Sequence, residues 1–432
     1  GVAQTLRRSP STSPVYFESY ASLFLVSART GKLVFWERQE FRRPTAIGAE
    51  RTLLNADADR PDFHVDLGDT FAMDNVTTQA AARTSYLNLR PYFGLMSHST
   101  PVFIVLGNHE EEEAWHRDDT GNIATSKPIL GANARKRYYL NPSPNTFYSG
   151  NTDAWAALDG DQLPGDYYAF QWGDALFVAI DPYWYTINKP FIGNNGGGES
   201  SDPGTGDRWD WTLGLAQYQW LKQTLETSPA KFKFIFAHHG TGGTDDYIRG
   251  GANAVPFTEW GGRDEDGVTY AFDTRRPGWY APVHQLLVEN HVSAFFHGHD
   301  HEYAHEERDG VVYQAVPMGA ETGYGFGFGE YQESDPYTIR VLPNSGHLRV
   351  TVTPSGTTVQ YVRAFLPGDG TNATVADTYV INAASGGPNL APTVATAASA
   401  TPSPVTGTTT SVSALGADDN GESNLTYTWT TT

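Results

Sequence analysis

The sequence predicts an α/β fold with mixed sheets, and two observations carry that prediction. Short runs that are apolar on both faces alternate along the chain with stretches whose apolar residues recur at helical spacing. Runs of the first kind are typical of strands in a sheet that is covered on both sides. The chain has 432 residues, of which 39% are hydrophobic and 13% aromatic, enough for a large core. These numbers exclude a chain that is disordered throughout.

Six apolar runs are predicted as strands: Phe63–Leu67, Val102–Leu106, Ala175–Ile180, Phe232–Ala237, Val292–Phe296 and Val311–Val316. Two later segments, His347–Pro354 and Thr357–Arg363, alternate apolar and polar residues and predict an antiparallel pair. Helices are predicted at Ala216–Thr227 and Val283–Asn290, where apolar residues recur on one side. The glycine-rich segment Gly193–Gly206 predicts a surface loop.

Charge and cysteine content exclude several kinds of function. The chain has 29 Lys and Arg against 49 Asp and Glu, a net charge of −20, which argues against binding to nucleic acid or anionic membranes. No apolar run approaches the roughly 20 residues that a membrane-spanning helix needs. The absence of cysteine excludes disulfides, thiolate metal sites and a cysteine nucleophile.

The composition changes near residue 383 and predicts a domain boundary. Residues 1–382 are predicted as the main domain, 383–392 as a linker rich in Gly and Pro, and 393–432 as a partial β domain. The last segment resembles the opening of a bacterial Ig-like repeat, with strands at Thr410–Leu415 and Leu425–Trp429. An Ig-like sandwich needs about 100 residues. Either the domain is truncated, or another chain supplies strands and the C-terminal β segment self-associates.

Four of the predicted strands lead directly to a carboxylate, an amide or an imidazole. In chain order these groups are Asp69, Asn108 with His109, His238 with His239, and His299 with Asp300 and His301. Because functional groups collect outside the carboxyl ends of strands in open α/β sheets, we expect these side chains to lie together. Carboxylate, amide oxygen and imidazole are ligands of hard or borderline divalent metals. The sequence therefore predicts a metal site.

The segments that contain these groups read LGD, LGNHE, AHHG and HGHDH. In this order they resemble the motifs of the calcineurin-like metallophosphoesterases, a family that includes the purple acid phosphatases. The resemblance implies a four-layer α/β/β/α sandwich with two metal ions, Zn, Fe or Mn, at the strand ends. It also implies hydrolysis of a phosphate ester, either a monoester or a diester.

Metal ligands follow from the resemblance position by position. Asp69 matches the carboxylate that bridges the two metals of the family. Asn108, His238 and His299 match ligands of the second metal, and His301 matches a ligand of the first. The second metal thus has four candidate ligands in this sequence.

His109 matches the histidine that contacts the phosphate and helps the leaving group depart. A protonated His109 gives its proton to the departing alkoxide in that scheme, while the cations neutralise the phosphate oxygens. Glu110 matches the acidic residue that follows this histidine and begins a run of four glutamates. The run predicts a solvated acidic face, with an additional cation site as the alternative.

The first motif of the family, Asp-x-His, is missing. Its strand is predicted at Leu23–Ser27, so Ala28 and Thr30 take the places of the Asp and the His, and neither is a good ligand. Asp62-Phe63-His64 has the required letters, but it begins the strand that leads to Asp69 and is predicted to lie at the wrong end.

The first metal is therefore left with Asp69 and His301, with Asp74 as a candidate to compensate. Three explanations stay open. Residues 1–50, an atypical beginning for this fold, are not native to it; the enzyme works with one metal; or the chain is a catalytically inactive extracellular structural or binding subunit. The acidic, cysteine-free composition and the Ig-like segment predict a secreted bacterial protein.

Aromatic residues follow two of the strand exits. They are Trp115 and His116 in one segment and Tyr183, Trp184 and Tyr185 in the other. Such residues are core in most proteins, and the alternative is that they stack against an aryl or nucleotide-like leaving group.

Overall fold

The computed structural model of the protein describes most of the chain from residue 43 onward, together with short strands before it. The described residues are 17–18, 23–26, 32–35, 40–41, 43–190, 204–240, 250–327, 331–383, 393–401, 403–404 and 407–417.

The strands, in chain order, are β1 (Phe17–Glu18), β2 (Leu23–Val26), β3 (Lys32–Phe35), β4 (Glu40–Phe41), β5 (Phe63–Asp66), β6 (Val102–Ile104), β7 (Ser149–Gly150), β8 (Tyr168–Trp172), β9 (Ala175–Ala179), β10 (Phe232–Ala237), β11 (Ala294–His297), β12 (Tyr303–Arg308), β13 (Val311–Ala315), β14 (Thr338–Leu342), β15 (Gly346–Thr353), β16 (Gly356–Arg363), β17 (Val375–Asn382), β18 (Thr393–Thr401) and β19 (Ser411–Ala417). The helices are α1 (Arg43–Ala58), α2 (Gln79–Phe93), α3 (Lys127–Tyr138), α4 (Gly214–Thr227), α5 (Gly251–Ala254), α6 (Thr258–Gly261), α7 (Phe272–Arg275) and α8 (Val283–Glu289). Short 3-10 turns cover Asn108–Glu110, Ala114–His116, Ile123–Thr125 and Arg208–Asp210.

The strands form one large sheet and several smaller ones. The 8-stranded sheet has the order β14-β12-β13-β11-β10-β9-β8-β7, and β9, β10, β11 and β13 run parallel within it. A 3-stranded sheet has the order β2-β5-β6, and a 4-stranded sheet has the order β17-β16-β15-β3. Two-stranded sheets pair β1 with β4 and β18 with β19.

A phenylalanine-rich core joins the large sheet to the two that face it. Phe63 of β5 makes edge-to-face contacts with Phe103 of β6 at 5.3 Å and with Phe177 of β9 at 5.1 Å between ring centroids. Along β10, Phe232, Phe234 and Phe236 join this inner core, while Ile235 and Ala237 join a second core with α4, α6 and α8. The alternation explains why β10 is apolar on both faces.

Helices cover the outer faces of the 3-stranded and the 8-stranded sheet. Residues of α1, α2 and α3 form a core with Ile104 of β6, and α4, α6 and α8 cover the 8-stranded sheet. The layers therefore follow the order helix, sheet, sheet, helix, and the prediction of a mixed α/β sandwich is confirmed. None of the helices in the described part of the chain combines the length and the apolar character needed to cross a bilayer.

All six apolar runs predicted as strands overlap one, and the helices predicted near residues 216 and 283 are present. The predicted antiparallel pair is β15 with β16, with Leu348 opposite Tyr361. Most of the predicted loop Gly193–Gly206 lies outside the described residues.

The C-terminal segment shows part of what the sequence predicts. The strand predicted at Thr410–Leu415 is β19, which pairs antiparallel with β18. The strand predicted at Leu425–Trp429 lies outside the described residues, so the Ig-like domain stays a prediction.

One strand runs in a direction that the sequence analysis did not foresee. β2 pairs antiparallel with β5, with Leu23 opposite Asp66 and Val26 opposite Phe63. The carboxyl end of β2 therefore lies at the edge opposite the exit of β5. The prediction that this strand leads to the Asp-x-His position is wrong for that reason; Ala28 and Thr30 themselves lie outside the described residues.

Candidate metal centre

The predicted strand exits meet where the two facing sheets come together. β5 and β6 run parallel in one sheet, and β10 and β11 run parallel in the other, so each pair delivers its following residues to one edge. A hydrogen bond joins the two edges, because Nδ1 of His238 lies 2.8 Å from the backbone oxygen of Leu67. This contact brings the residue after β10 to the residue after β5.

Three buried side chains converge at this edge. Asp69, His238 and His299 each offer a ligand atom, and these atoms all lie within 4.8 Å of one another. Nε2 of His238 is 3.0 Å from Oδ2 of Asp69 and 3.2 Å from Nδ1 of His299. One carboxylate oxygen and two imidazole nitrogens thus surround a space of the size that a borderline divalent metal occupies.

The orientation of His238 suits metal binding. The Leu67 oxygen only accepts hydrogen bonds, so Nδ1 of His238 carries a proton, and Nε2 has a lone pair when the ring is neutral. That lone pair faces the Asp69 carboxylate and the His299 ring, an arrangement that a shared cation stabilises. A backbone carbonyl that holds the second ring nitrogen is the usual support of a metal-binding histidine.

Asp69 is ionised at this position despite its burial. Burial alone would raise the pKa of Asp69, but the neighbouring imidazoles, led by His238 and His109, outweigh it and hold that pKa well below its usual range. Its backbone has a left-handed φ of 55°, and His299 has a φ of 71°. Strained backbone at two residues that face each other is typical of functional sites.

Glu110 holds the loop that presents Asp69. Its carboxylate accepts hydrogen bonds from the backbone N–H groups of Asp69 at 2.9 Å, Thr70 at 2.7 Å, Phe71 at 2.8 Å and Gly107 at 2.6 Å. Burial and the charge of Asp69 raise the pKa of Glu110 well above its usual range. Glu110, which matches the acidic residue of the family motif, thus supports the Asp69 loop through these hydrogen bonds.

Two glycines allow the first two strand exits to touch. Gly68 has a φ of +94°, and a Cβ on it would lie 2.5 Å from the backbone nitrogen of Gly107. A Cβ on Gly107 would lie 2.3 Å from Oδ1 of Asp69. A larger residue at either position would push the two loops apart, which explains the glycines in the LGD and LGNHE segments.

Asn108 and His109 begin the 3-10 turn after β6. Oδ1 of Asn108 is buried and has no hydrogen-bond partner among the described residues, as expected of an oxygen that binds a metal. The His109 backbone N–H donates to Oδ1 of Asp69 at 2.9 Å, and its Nδ1 lies 2.5 Å from Oδ1 of Asp74. The His109 side chain is 17% exposed, so it is reachable from solvent.

His301 is buried in the loop after β11 but lies outside the group of three converging ligands. Its backbone has a φ of 56°, and its carbonyl oxygen accepts a hydrogen bond from Nδ2 of Asn344 at 2.5 Å. The neighbouring Asp300 accepts a hydrogen bond from the Tyr331 hydroxyl at 2.6 Å. The group that converges at this edge among the described residues therefore consists of Asp69, His238 and His299.

The structure bears on two of the sequence interpretations about neighbouring residues. Asp62 precedes β5 and His64 lies within it, fully buried, so neither residue is near the exit at Asp69, as predicted. Tyr183 and Trp184 are 0% exposed, which supports the core interpretation over substrate stacking.

Sequence reasoning named two further contributors to the site but did not foresee their contacts. Asp74 was considered as a metal ligand, whereas the structure pairs it with His109. His239 packs its ring against His299, with centroids 3.9 Å apart, and its Nδ1 is hydrogen-bonded to the Tyr183 hydroxyl. The double histidine after β10 was the available signal for this second contact.

Comparison with known proteins agrees with this geometry. Residues 46–303 match the family model described as calcineurin-like phosphoesterase. The chain belongs to this family. The match includes Asp69, His238 and His299, so the converging group lies within the calcineurin-like phosphoesterase region, whose members depend on divalent metals. No curated protein sequence matches the chain.

The chain is also similar to solved structures of low sequence identity. The structure of PhoD has a TM-score of 0.53 and 13% identity, over 86% of this chain and 85% of PhoD. GAP50, the anchor in the inner membrane complex of Plasmodium, has a TM-score of 0.46 and 15% identity, over 80% of this chain and 85% of that one. The purple acid phosphatase PPD1 from yellow lupin seeds has a TM-score of 0.48 and 12% identity, over 86% of this chain and 55% of the phosphatase. At these identities the likeness to PhoD concerns the fold alone.

Proposed function

We propose that this calcineurin-like phosphoesterase hydrolyses phosphate monoesters or diesters at a metal centre held by Asp69, His238 and His299. The observation that carries the proposal is the convergence of Oδ2, Nε2 and Nδ1 from these three buried side chains within 4.8 Å at the strand exits. The family assignment supports phosphoester hydrolysis as the reaction class.

The donor set suits Zn, Fe or Mn, with Asn108 as a fourth ligand through its unpartnered Oδ1. A cation held there supplies charge that neutralises the phosphate oxygens and acidifies a water molecule. The proposal includes a second cation near His301, which makes one or two metals per chain the quantity to measure.

His109 is the proposed proton donor. In the reaction, water attacks phosphorus, the bond from phosphorus to the ester oxygen breaks, and the proton of His109 passes to that departing oxygen. Asp74 accepts a hydrogen bond from Nδ1 of His109 at 2.5 Å, which leaves Nε2 to carry the transferred proton. The backbone bond from His109 to Asp69 keeps the donor beside the metal ligands.

A second candidate is a catalytically inactive extracellular subunit on the same fold. The antiparallel direction of β2 favours it, because that strand directs its carboxyl end away from the centre. Secretion from a bacterium and self-association through the C-terminal β segment are parts of the proposal that rest on the sequence. The acidic, cysteine-free composition supports the former, and the hairpin of β18 and β19 supports the latter.

The test measures metal content and hydrolysis together on the full chain. The protein is loaded with Zn²⁺ or Mn²⁺, dialysed, and assayed with p-nitrophenyl phosphate and with bis-p-nitrophenyl phosphate, which separates monoesterase from diesterase activity. We expect His299→Ala to lose both the metal and the activity. His98→Ala is the matched control, because His98 is exposed and lies outside the site, and it should keep both.

Two results would overturn the proposal in different ways. A chain that binds no metal after loading and hydrolyses neither ester contradicts the metal centre itself. A chain that binds metal through His299 but hydrolyses neither ester contradicts the enzyme and favours the inactive subunit.

A further inference from the structure

The four glutamates after His109 are buried, so the prediction of a solvated acidic face is wrong. Glu110, Glu111, Glu112 and Glu113 are exposed by 0%, 6%, 1% and 3%. Glu111 has a left-handed φ of 56°, which ends the 3-10 turn and changes the direction of the chain between the second and third glutamate. Glu110 supports the Asp69 loop and Glu112 pairs with Arg135, which leaves Glu111 and Glu113 to be explained.

Glu111 and Glu113 form a second group with His116. One ligand atom from each of the three side chains lies within 4.8 Å of the others, and the group shares no residue with Asp69, His238 and His299. Nε2 of His116 lies 3.2 Å from Oε2 of Glu111. Two carboxylates and one imidazole thus point at a common space.

Asp119 orients the imidazole of this group. Its Oδ2 lies 2.6 Å from Nδ1 of His116, so Nδ1 donates its proton to the carboxylate. Nε2 then presents either a lone pair or a second proton to Glu111. A carboxylate behind the far nitrogen of a histidine is the usual outer support of a metal ligand.

The burial of Glu113 and its unpartnered oxygen favour a bound cation over an ion-pair network. Glu113 is 3% exposed, and its Oε2 has no hydrogen-bond partner among the described residues. Burial and the charge of Glu111 raise the pKa of Glu113 well above its usual range. A buried carboxylate oxygen without a partner is costly, and a bound cation removes that cost.

Lysine neutralises only part of the group. Nζ of Lys127 lies 2.8 Å from Oε2 of Glu111, and the charge of Lys189 acts on Glu113 from further away. Lys127 therefore contacts the same Glu111 oxygen that faces His116. The lysine competes with a metal at Glu111, and this competition gives the test its sharpest variant.

We propose that Glu111, Glu113 and His116 hold a divalent cation, separate from the centre at Asp69. The mixture of carboxylate oxygens and an imidazole nitrogen selects a borderline metal such as Zn²⁺ or Mn²⁺ over Ca²⁺ or Mg²⁺. The site joins the turn that carries Asn108 and His109 to the segment that leads to α3. Its role is to stabilise that segment. This role does not depend on whether the protein hydrolyses esters.

The experiment counts metal on the full chain. Zn²⁺ equivalents are measured by mass spectrometry after chelation, reloading and dialysis, in a background with His299→Ala that lacks the principal centre. We expect this background to keep one equivalent and to lose it on Glu113→Gln. Asp118→Asn is the matched control, because Asp118 is an exposed acid of the same segment, and it should keep the equivalent.

Lys127→Met separates the two explanations of the cluster. If a cation binds there, removal of the competing ammonium lowers the dissociation constant for Zn²⁺; if the cluster is only an ion-pair network, the variant binds no Zn²⁺ at the cluster. Asp119→Asn should weaken binding about 10- to 100-fold, as loss of an outer support does.

Retention of the same number of equivalents in Glu113→Gln and its parent overturns the proposal, as does a parent that binds none. His116→Gln is the second variant, measured with a circular-dichroism check of folding, and decides the matter if Glu113→Gln fails to fold.

Discussion

Nδ1 of His109 lies 2.5 Å from Oδ1 of Asp74, while the backbone N–H of the same histidine donates to Oδ1 of Asp69 at 2.9 Å. Asp74 thus holds the His109 ring, and Asp69 holds the His109 backbone. Asp74 comes five positions after the proposed metal ligand Asp69, and the backbone hydrogen bond from Met73 N–H to the His109 oxygen at 2.9 Å keeps the two segments together. This arrangement makes Asp74 a positioning residue for the proposed proton donor.

Asp74→Asn should lower kcat and leave metal content unchanged. Loss of His109 as proton donor should cost about 10²- to 10⁴-fold in rate, the usual range for general acid catalysis. Asp74→Asn leaves the His109 ring in place but removes the negative charge that stabilises its protonated form. We therefore expect a smaller loss of kcat than in His109→Gln. Steady-state kinetics and metal analysis on Asp74→Asn, His109→Gln and the control Asp118→Asn measure this. A normal kcat in Asp74→Asn contradicts the role of Asp74.

Gly107→Ala should disturb the metal centre through a steric effect alone. The φ of Gly107 is −107°, which any residue adopts, but an added Cβ would lie 2.3 Å from Oδ1 of Asp69. We expect the carboxylate to move, with about 10-fold or greater loss of Zn²⁺ affinity and about 1–3 kcal/mol loss of stability. Gly325→Ala is the control, because no described atom lies within 4 Å of its added Cβ. Equal Zn²⁺ affinity in both variants, measured by isothermal titration, would refute the close approach.

Local patterns predicted the strands and the ligand group, because the residues that indicate each of them lie within short segments of the chain. An apolar run followed by Gly and Asp, or by two histidines, predicts a polar side chain at a strand exit, and four such exits in one chain together predict a metal site. Asp69, His238 and His299 were therefore found from the sequence, and the structure brings the three together.

The remaining features depend on contacts between distant segments, which sequence patterns do not report. The four apolar residues of β2 fit a parallel or an antiparallel neighbour equally well, so its direction was not predictable. The glutamates after His109 were expected in solvent because they are charged. The burial of Glu111 and Glu112 depends on Lys127 and Arg135, which lie 16 and 23 residues further along the chain respectively.

Glu306 should make the stability of the protein depend on pH. It is fully buried, and burial raises its pKa from the ordinary value of 4.5 to about 7. Between these two pH values the folded chain keeps a proton that the unfolded chain loses, so the free energy of unfolding falls as the pH rises and levels off above about 7. Glu306→Gln removes this dependence and should be more stable than the parent at pH 8, by about 1–3 kcal/mol.

Glutamine fits this position, because Glu306 accepts hydrogen bonds from the Ala252 N–H at 2.8 Å and the Thr338 hydroxyl at 3.0 Å, and that hydroxyl is able to reverse its role. Urea unfolding at pH 5 and pH 8 measures the effect. Glu307→Gln is the control, because that neighbour is exposed and should show the same difference from the parent at both pH values. A pH-independent difference between the parent and Glu306→Gln would show that Glu306 is ionised throughout.

Glu112→Gln should be the most destabilising of the single glutamate changes in this run. Arg135 donates to both oxygens of Glu112, at 2.8 Å and 2.7 Å, and both side chains are 0% exposed. Arg135 also donates to the carbonyls of Gly165 and Pro164, each at 2.9 Å, so the guanidinium cannot turn to solvent once its counter-charge is lost. Breaking a buried pair on one side costs about 3–5 kcal/mol, because it leaves the other charge uncompensated. Glu226→Gln breaks the exposed pair with Lys222 on α4 and should cost less than about 0.5 kcal/mol. Chemical denaturation compares the two variants, and equal losses of unfolding free energy would mean that the buried pair contributes no more than a surface one.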